Sequence, residues 1–500
     1  MTAGKYFDEI WGYSRGRKPR PGFEKIARWI RDTPKPELRR RQASAEAAFR
    51  QLGITFNVYG EEDEAERIIP FDIVPRIFTA QEWASLSEGL EQRVTALNMF
   101  LEDIYRDRKI IDDGVVPADL VFCNPGFTPA VAGHRPPHGI FSHICGIDMV
   151  RTGADEFYVL EDNARTPSGV SYMLENREAM LRLCPELFEI FEIEPVDRYP
   201  DALREMMQSV APDCAPKEPV CVLLTPGHFN SAFYEHSFLA DNVGIELVES
   251  ADLIVDDDIV WMRTIEGRKR VDVIYRRLDD DFIDPLVFRP DSMLGVPGLM
   301  AAYFAGNVAL INAPGSGIAD DKAIYSYMPE IVKYYSGEDA KLPNVETWRC
   351  REPDSLQYTL ENLADLVVKK VDGSGGYGML VGPTSTSEQI EEFRDALKAN
   401  PDGYIAQPTL ELSTVPTLTD KGMKGRHVDF RPYVLSGTNG VHTVPGGLTR
   451  VALVAGSLVV NSSQGGGTKD SLVLRPESNG QSQSQSQSGG SQTQAQSQTS

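Results

Sequence analysis

The stretch Leu366–Pro383, LVVKKVDGSGGYGMLVGP, sets two lysines ahead of a loop with four glycines. Glycine lets the backbone approach phosphate oxygens closely, and exposed loop N–H groups can cradle them. A lysine just upstream adds a point charge for the same oxygens. A second group lies about 200 residues earlier. Gly146-Ile-Asp148 is followed by YVLEDNARTPSG from Tyr158 to Gly169, which carries Glu161, Asn163 and Arg165. Two carboxylates and an amide oxygen are hard oxygen ligands suited to Mg²⁺, which bridges to phosphates. Arg165 could contact a γ-phosphate or a developing negative charge. Taken alone, the carboxylates equally fit a ligand-free turn rich in Asp and Asn. Beside a phosphate loop, metal binding is the better reading.

Other residues have two readings each. Lys322, in NAPGSGIADDKAIYSYMPEI, stands near a predicted helix start. There it is a second phosphate lysine or a solvated one. Asp429 and Arg431 alternate in HVDFRPYVL, and Arg450 stands in GGLTRVAL. All three could face a substrate or form cross-strand salt bridges. Lys469 follows a second glycine-rich turn, NSSQGGGTKD, which lacks Walker A spacing. Glu235 and His236 in FYEHSFL fit helix capping and packing better than catalysis.

The elements that must position these residues follow from pattern. Gly373-x-Gly375-x-x-Gly378, with Ser374 and Gly376 between, matches the dinucleotide spacing, but that fingerprint needs a helix after the loop. Here MLV and Gly382-Pro383 follow, which predicts a second strand and a turn. The loop therefore joins two strands as a flap. FSHICGIDMV and FYVLED predict a strand pair that carries Asp148 and Glu161, with Asn163 on the Glu161 face. AQEWASLSEGLEQRVTALNMFLEDIY predicts one or two amphipathic helices, and residues 171–210 read as mainly helical. PVCVLLTPG, SAFYEHSFLADNVG, GIELVES and VDVIYRRLD alternate strand and helix, which predicts an α/β unit.

The chain has 500 residues, more than one core supports, so two or three domains are expected. Its 50 basic and 73 acidic residues give a net charge of −23, which disfavours nucleic acids and anionic membranes as partners. Cys123, Cys145, Cys184, Cys214, Cys221 and Cys350 form no CxxC pair, so zinc is not expected and a reducing cytoplasm is. The first residues show no signal-peptide pattern, and no apolar run approaches the ~18 residues that span a membrane. GxSxG, HExxH and HRDxxxxN are absent, and a protein kinase places its lysine after the glycine loop, not before it.

A lysine strand, a glycine flap, a separate lysine near a helix start and an acidic-plus-asparagine cluster resemble the ATP-grasp superfamily. The acidic cluster precedes the flap, an order similar to the circularly permuted group that includes the ligase domain of glutathionylspermidine synthetase. LEDNARTPSGVSYMLENR, IPFDIVPRIFTAQEWASLSEGLEQRVTALNMFLEDIY, YRRLDDDFIDP, VVKKVDGSGGYGM and DFRPYVL look like the circularly permuted ATP-grasp type 2 family, over about residues 5–475.

That resemblance implies a mixed α/β fold in five segments. These are a helical N-terminal region (1–75), a metal-ligand half (76–212), a pre-ATP-grasp-like α/β domain (213–318), an ATP-binding half with the flap (319–475), and a disordered Ser/Gln-rich tail (476–500). It implies ATP and Mg²⁺ as cofactors. Lys322 and Lys369 would contact phosphates, with Lys370 an alternative to Lys369. Gly373–Gly378 would form the flap, Ile405–Gln407 the adenine hinge, and Asp148, Glu161 and Asn163 the metal site. Gln407 stands where many ATP-grasp enzymes have a glutamate, with Glu411 four residues on. Arg165, Arg431 and Arg450 would serve catalysis. The implied activity is an ATP-dependent carboxylate–amine ligase acting on a small acid and an amine or short peptide. A phosphotransferase and a non-catalytic ATP-binding protein are the alternatives. Members are often encoded beside alpha-E and transglutaminase-like proteins, which are the partners this implies.

Overall fold

The computed structural model describes residues 6–13, 18–51, 55–56, 67–228, 230–373, 378–457, 460 and 466–476. Ser374, Gly375 and Gly376 of the glycine loop, and the polar tail from residue 477, lie outside the described residues.

The largest sheet draws strands from distant parts of the chain. Its order is Phe71–Phe78, Gly467–Val473, Gly440–Val451, Gly422–Gly437, Ile144–Arg151, Phe157–Asn163, with Thr414–Thr419 paired to Gly422–Gly437. Alternation divides each strand between two cores. Cys145, Ile147, Met149, Phe430 and Val434 face the helix Ala80–Tyr105. Ile144, Tyr433, Leu435 and Leu448 face the helices Val170–Leu183 and Tyr199–Ser209. Thr79 opens the long helix with a capping box: its hydroxyl accepts from Glu82 N, and Glu82 Oε2 accepts from Thr79 N.

The α/β unit is a four-stranded parallel sheet, ordered Ala309–Ile311, Val273–Arg276, Cys221–Leu224, Glu246–Val248. The helix Phe233–Val243 connects the last two of these. A three-stranded antiparallel meander, Leu253–Asp256, Ile259–Thr264 and Gly267–Arg270, is an element that sequence patterning does not reveal. Its first turn is Asp257-Asp258, both at positive φ (51° and 56°), in place of the usual Asn-Gly signal.

The third sheet is small and antiparallel: Trp348–Arg349, Tyr404–Pro408, Leu366–Lys370, Met379–Val381. One face packs Leu366, Val368, Leu380, Tyr404 and Ala406 against the helices Pro353–Asn362 and Ser387–Ala399. Strand alternation puts Val367, Lys369, Ile405 and Gln407 on the other face.

The expected segment boundaries do not coincide with the sheets. Position 75 falls inside the strand Phe71–Phe78, whose apolar, β-branched residues are all buried in the large sheet. The segment 319–475 is shared between the small sheet and the large one, because its last strands pair with Ile144–Arg151. Among the described residues, no helix is long and apolar enough to cross a membrane.

Candidate active site: an open charge cluster beside a closed one

Asp148 and Glu161 are directly opposed across their antiparallel pair, and Asn163 stands opposite Gly146. Asp162 points to the other face, where Arg93 holds it at 2.6 and 2.7 Å. The carboxylates therefore sort by alternation, with Glu161 and Asn163 toward the small sheet's open face.

The strands that flank the glycine loop approach from that side. Leu366–Lys370 and Met379–Val381 are antiparallel partners, as expected of a flap, with Lys369 opposite both Met379 and Ile405. Lys370 points away, toward Gly378 and a 380 Å³ surface cavity lined also by Asp119, Arg351 and Asp402. Of the two adjacent lysines, Lys369 faces the acidic cluster. Burial pushes the Lys369 ammonium down to about 8; Lys322 adds to the shift, and Glu161 and Asp148 oppose it.

Lys322 joins the two sides. It opens the short helix Lys322–Ser326, capped by Asp321, which accepts from Ala323 N and Ile324 N. Its Nζ lies 3.3 Å from Glu161 Oε2 and donates to Gly373 O at 2.5 Å. Its backbone N–H donates to Val371 O at 3.0 Å. A carboxylate, two lysines and the mouth of the glycine loop thus meet at one place.

Asp148 lies behind this cluster in a different electrostatic setting. Arg431 grips both oxygens, through Nε to Oδ1 and Nη2 to Oδ2, and Arg450 Nη2 donates to the same Oδ2 at 2.6 Å. Arg450 also holds Asp429, its cross-strand partner, through Nε at 2.9 Å. Burial alone would raise the Asp148 pKa, but the two guanidinium groups outweigh it and hold the carboxylate well below its usual range. This differs from the expected metal ligand: both Asp148 oxygens are already occupied by positive charge. Arg431 and Arg450, expected to serve catalysis, are likewise engaged in salt bridges. Arg431 Nη2 still comes within 4.0 Å of Glu161 Oε1.

Arg165 stands at the rim, with its side chain 42% exposed. Its Nε makes no hydrogen bond, and the nearest carboxylate oxygens, of Asp279 and Asp320, are at 3.4 and 3.6 Å. Asp320 fixes the backbone beneath it, accepting from Ala164 N (2.6 Å) and Arg165 N (3.2 Å). Burial raises the Asp320 carboxyl to about 6.

Ile405 and Gln407 lie on the strand beside Leu366–Lys370, both buried. Lys469 is fully buried on Asp72 and the carbonyls of Val74 and Pro416, remote from the cluster. Glu235 caps a helix other than its own, accepting from Gly169 N and Ser171 N at the start of Val170–Leu183, and pairs with Arg277. His236 bonds Thr225, and burial pushes its imidazole down to about 2.

The donor set suits a magnesium nucleotide in part. Among the described residues, no three His, Cys, Asp or Glu side chains are grouped to hold a metal by themselves. Glu161 is partly exposed, and Asn163 Nδ2 donates to Gly146 O at 3.2 Å, which leaves its Oδ1 free to coordinate. Mg²⁺ commonly takes only one or two protein ligands and completes its octahedron with phosphate oxygens and water.

A lysine-bearing strand pair joined by a glycine loop, set against an acidic strand and a capped helix, fits an ATP-grasp-type fold. The model of the family "Circularly permuted ATP-grasp type 2" matches residues 75–452, and this chain belongs to that family. An uncharacterized protein of Synechocystis sp. is 51% identical over 472 residues, covering 94% of this chain and 98% of that one. One from Mycobacterium tuberculosis is 48% identical over 444 residues, covering 89% and 80%. A Frankia alni protein named "Putative glutamate--cysteine ligase 2-3" is 42% identical over 458 residues, covering 91% of this chain and 52% of its own length. In fold alone, the chain resembles a glutathione synthetase-like effector from Globodera pallida, with a TM-score of 0.57 at 10% identity, covering 88% and 98% of the two chains.

Proposed function

We propose that this chain is an ATP-dependent carboxylate–amine ligase. The observation that carries the reading is Lys322 Nζ, which sits between Glu161 and the carbonyl of Gly373 with Lys369 on the facing strand. A flap, two ammonium groups and an oxygen-ligand strand are the parts needed to grip a magnesium triphosphate. Family membership and the ligase name of the Frankia relative support the same class.

In this reading Lys322 and Lys369 hold phosphate oxygens, the segment from Gly373 to Gly378 covers them, and Ile405 and Gln407 meet the base. Glu161 and Asn163 would hold Mg²⁺, which would supply charge neutralisation at the phosphates. Asp148 anchors Arg431 behind them. Arg165 presents its exposed guanidinium to the charge that develops on transfer. The substrate carboxylate attacks the γ-phosphorus and ADP leaves. An amine then attacks the acyl phosphate, expelling phosphate and a proton and leaving an amide. The chain's contribution is positioning and electrostatics.

The test is ADP release from the full chain with Mg-ATP and pooled acids, amines and short peptides, followed by mass spectrometry. ADP, phosphate and an amide are expected in equal amounts. A stable phosphoester, or no ADP with any pool, overturns the reading.

A further inference from the structure

Four cations line a groove that shares no residue with either charge cluster. Its volume is 720 Å³, within the roughly 300–1,000 Å³ of ligand clefts. One wall is the helix Lys35–Gln51, which contributes Arg39. The other is the hairpin of Thr414–Thr419 and Gly422–Gly437. Thr419 pairs with Gly422, so Asp420-Lys421 is a two-residue turn with Lys421 at the tip. Lys424 and Arg426 stand two residues apart on one face of the returning strand, about 7 Å from each other. Along that strand Gly422 and Arg431 are about 30 Å apart, which removes the groove from the nucleotide cleft.

These cations have no acid to answer them. Arg40 and Arg41, next to Arg39 in the helix, both bond Glu37. Arg39 instead donates to a backbone oxygen, Asp420 O, at 3.1 Å. Arg426 likewise donates to the backbone carbonyls of Leu453 and Gly425, at 3.1 Å each. None of the four makes an ion pair among the described residues. Three carboxylates line the groove, of which Asp72 is taken by Lys469 and Leu418 N, Glu46 accepts from Gln42, and Asp420 stands in the turn. In a chain of net charge −23, an unmatched basic groove is a local reversal of sign.

The lining selects among anions. The groove opens beside the first residues of Phe71–Phe78, an edge strand of the large sheet. Gln42 already occupies that edge: its Oε1 accepts from Ile73 N at 3.2 Å, and its Nε2 bonds Phe71 O. A peptide in the groove is therefore read by its side chains and not by adding a strand. Leu418 and Leu453 supply apolar contact, and Leu453 is 39% exposed. The one aromatic ring among the described lining residues, Phe71, is 1% exposed, so a nucleobase finds no stacking face.

We propose that this groove docks a peptide segment of another protein, rich in Asp and Glu and carrying an aliphatic side chain. The four cations pair with its carboxylates, and Leu418 and Leu453 take the aliphatic group. The chain's overall negative charge repels longer polyanions, which confines the match to a short acidic segment. This surface does not depend on the ligase reading.

The experiment follows the fluorescence anisotropy of a labelled Glu-rich peptide with a central leucine, titrated with the full chain. Saturable binding that weakens with added salt is expected. Lys421→Glu combined with Lys424→Glu is expected to weaken it by roughly tenfold or more, and Leu453→Ser by about threefold, with the melting temperature unchanged in both. An unchanged affinity in the double charge reversal overturns the proposal. Equal affinity for duplex DNA also overturns it, because the groove is then a general polyanion patch. Dimers in light scattering that the double reversal abolishes make the occupant a second copy, which overturns it too. The chain's own acidic run, Glu61 to Glu66, lies outside the described residues and is the remaining competitor. It is removed by combining Glu61→Ser, Glu62→Ser, Asp63→Ser, Glu64→Ser and Glu66→Ser. Peptide binding by that variant but not by wild type assigns the groove to the chain itself, and binding by neither form leaves it without a peptide; each result overturns the proposal.

Discussion

Two charge clusters stand side by side in this protein. Around Asp148, every charge is matched: Arg431 grips it bidentately, and Arg450 spans Asp148 and Asp429. Around Glu161 the matching is looser: Lys322 is 3.3 Å away, Lys369 is desolvated and bonds no carboxylate among the described residues, and Arg165 Nε makes no hydrogen bond, with its carboxylate neighbours at 3.4 and 3.6 Å. The first cluster is buried within the large sheet, whereas the second lies between the two sheets. A closed network holds a fold, because each buried charge already has its partner. An open one leaves room for further charges, and two ammonium groups beside the partly exposed Glu161 carboxylate suit a polyanion with a cation. In the proposed reading the functional part of the acidic motif is its outward half, Glu161 and Asn163, with Asp148 as its foundation.

The contrast can be broken from the closed side with the largest effect. Arg450→Met strands the buried Asp429 carboxylate, while Asp148 keeps Arg431, and is expected to lower stability by about 3–5 kcal/mol, read by denaturant unfolding. A loss under 1 kcal/mol would mean that the closed cluster is not structural. On the open side, Glu161→Ala is expected to cut ATP turnover by roughly 10²–10³-fold while the melting temperature stays within about 3 °C. If both fall together, the two clusters are one unit.

A pH profile sharpens the difference further. Lys369 is charged below its pKa of about 8 and neutral above it. If its charged form holds phosphate, as proposed, ATP affinity of the free protein is expected to fall about tenfold between pH 7 and pH 9, as one proton is lost. The decline should vanish in Lys369→Met; a flat wild-type profile would remove Lys369 from the phosphate site. The smallest effect belongs to its neighbour. Lys370→Met is expected to leave ATP affinity within about twofold, since Lys370 lies on the opposite face of the strand.

What could be read from sequence follows the range of each rule. Period-2 alternation assigns Glu161 and Asn163 to one face, and turn chemistry makes the glycine loop a hairpin; both are local and both hold in the structure. The same rule left Lys369 and Lys370 open until the backing helices showed which face is core. Asp429 and Arg431 allowed a substrate contact or a salt bridge, and here the salt bridges form. Their common link, Asp148, lies 283 residues from Arg431 and 302 from Arg450, and no local pattern reports such pairings. Glu235 read correctly as a cap, but the helix it caps is not its own.

The far-flung strand order of the large sheet bears on how the chain is made. During synthesis, Ile144–Arg151 emerges long before Gly422–Gly437 and Gly440–Val451, the strands that bring Arg431 and Arg450. Asp148 can be buried at low cost only once those guanidinium groups arrive. Non-local strand pairing of this kind is slow and leaves edges exposed while it waits. The nascent chain must therefore keep its acidic strand hydrated until those later strands have been translated, and a ribosome that stalls before residue 431 leaves Asp148 with neither guanidinium group to receive it.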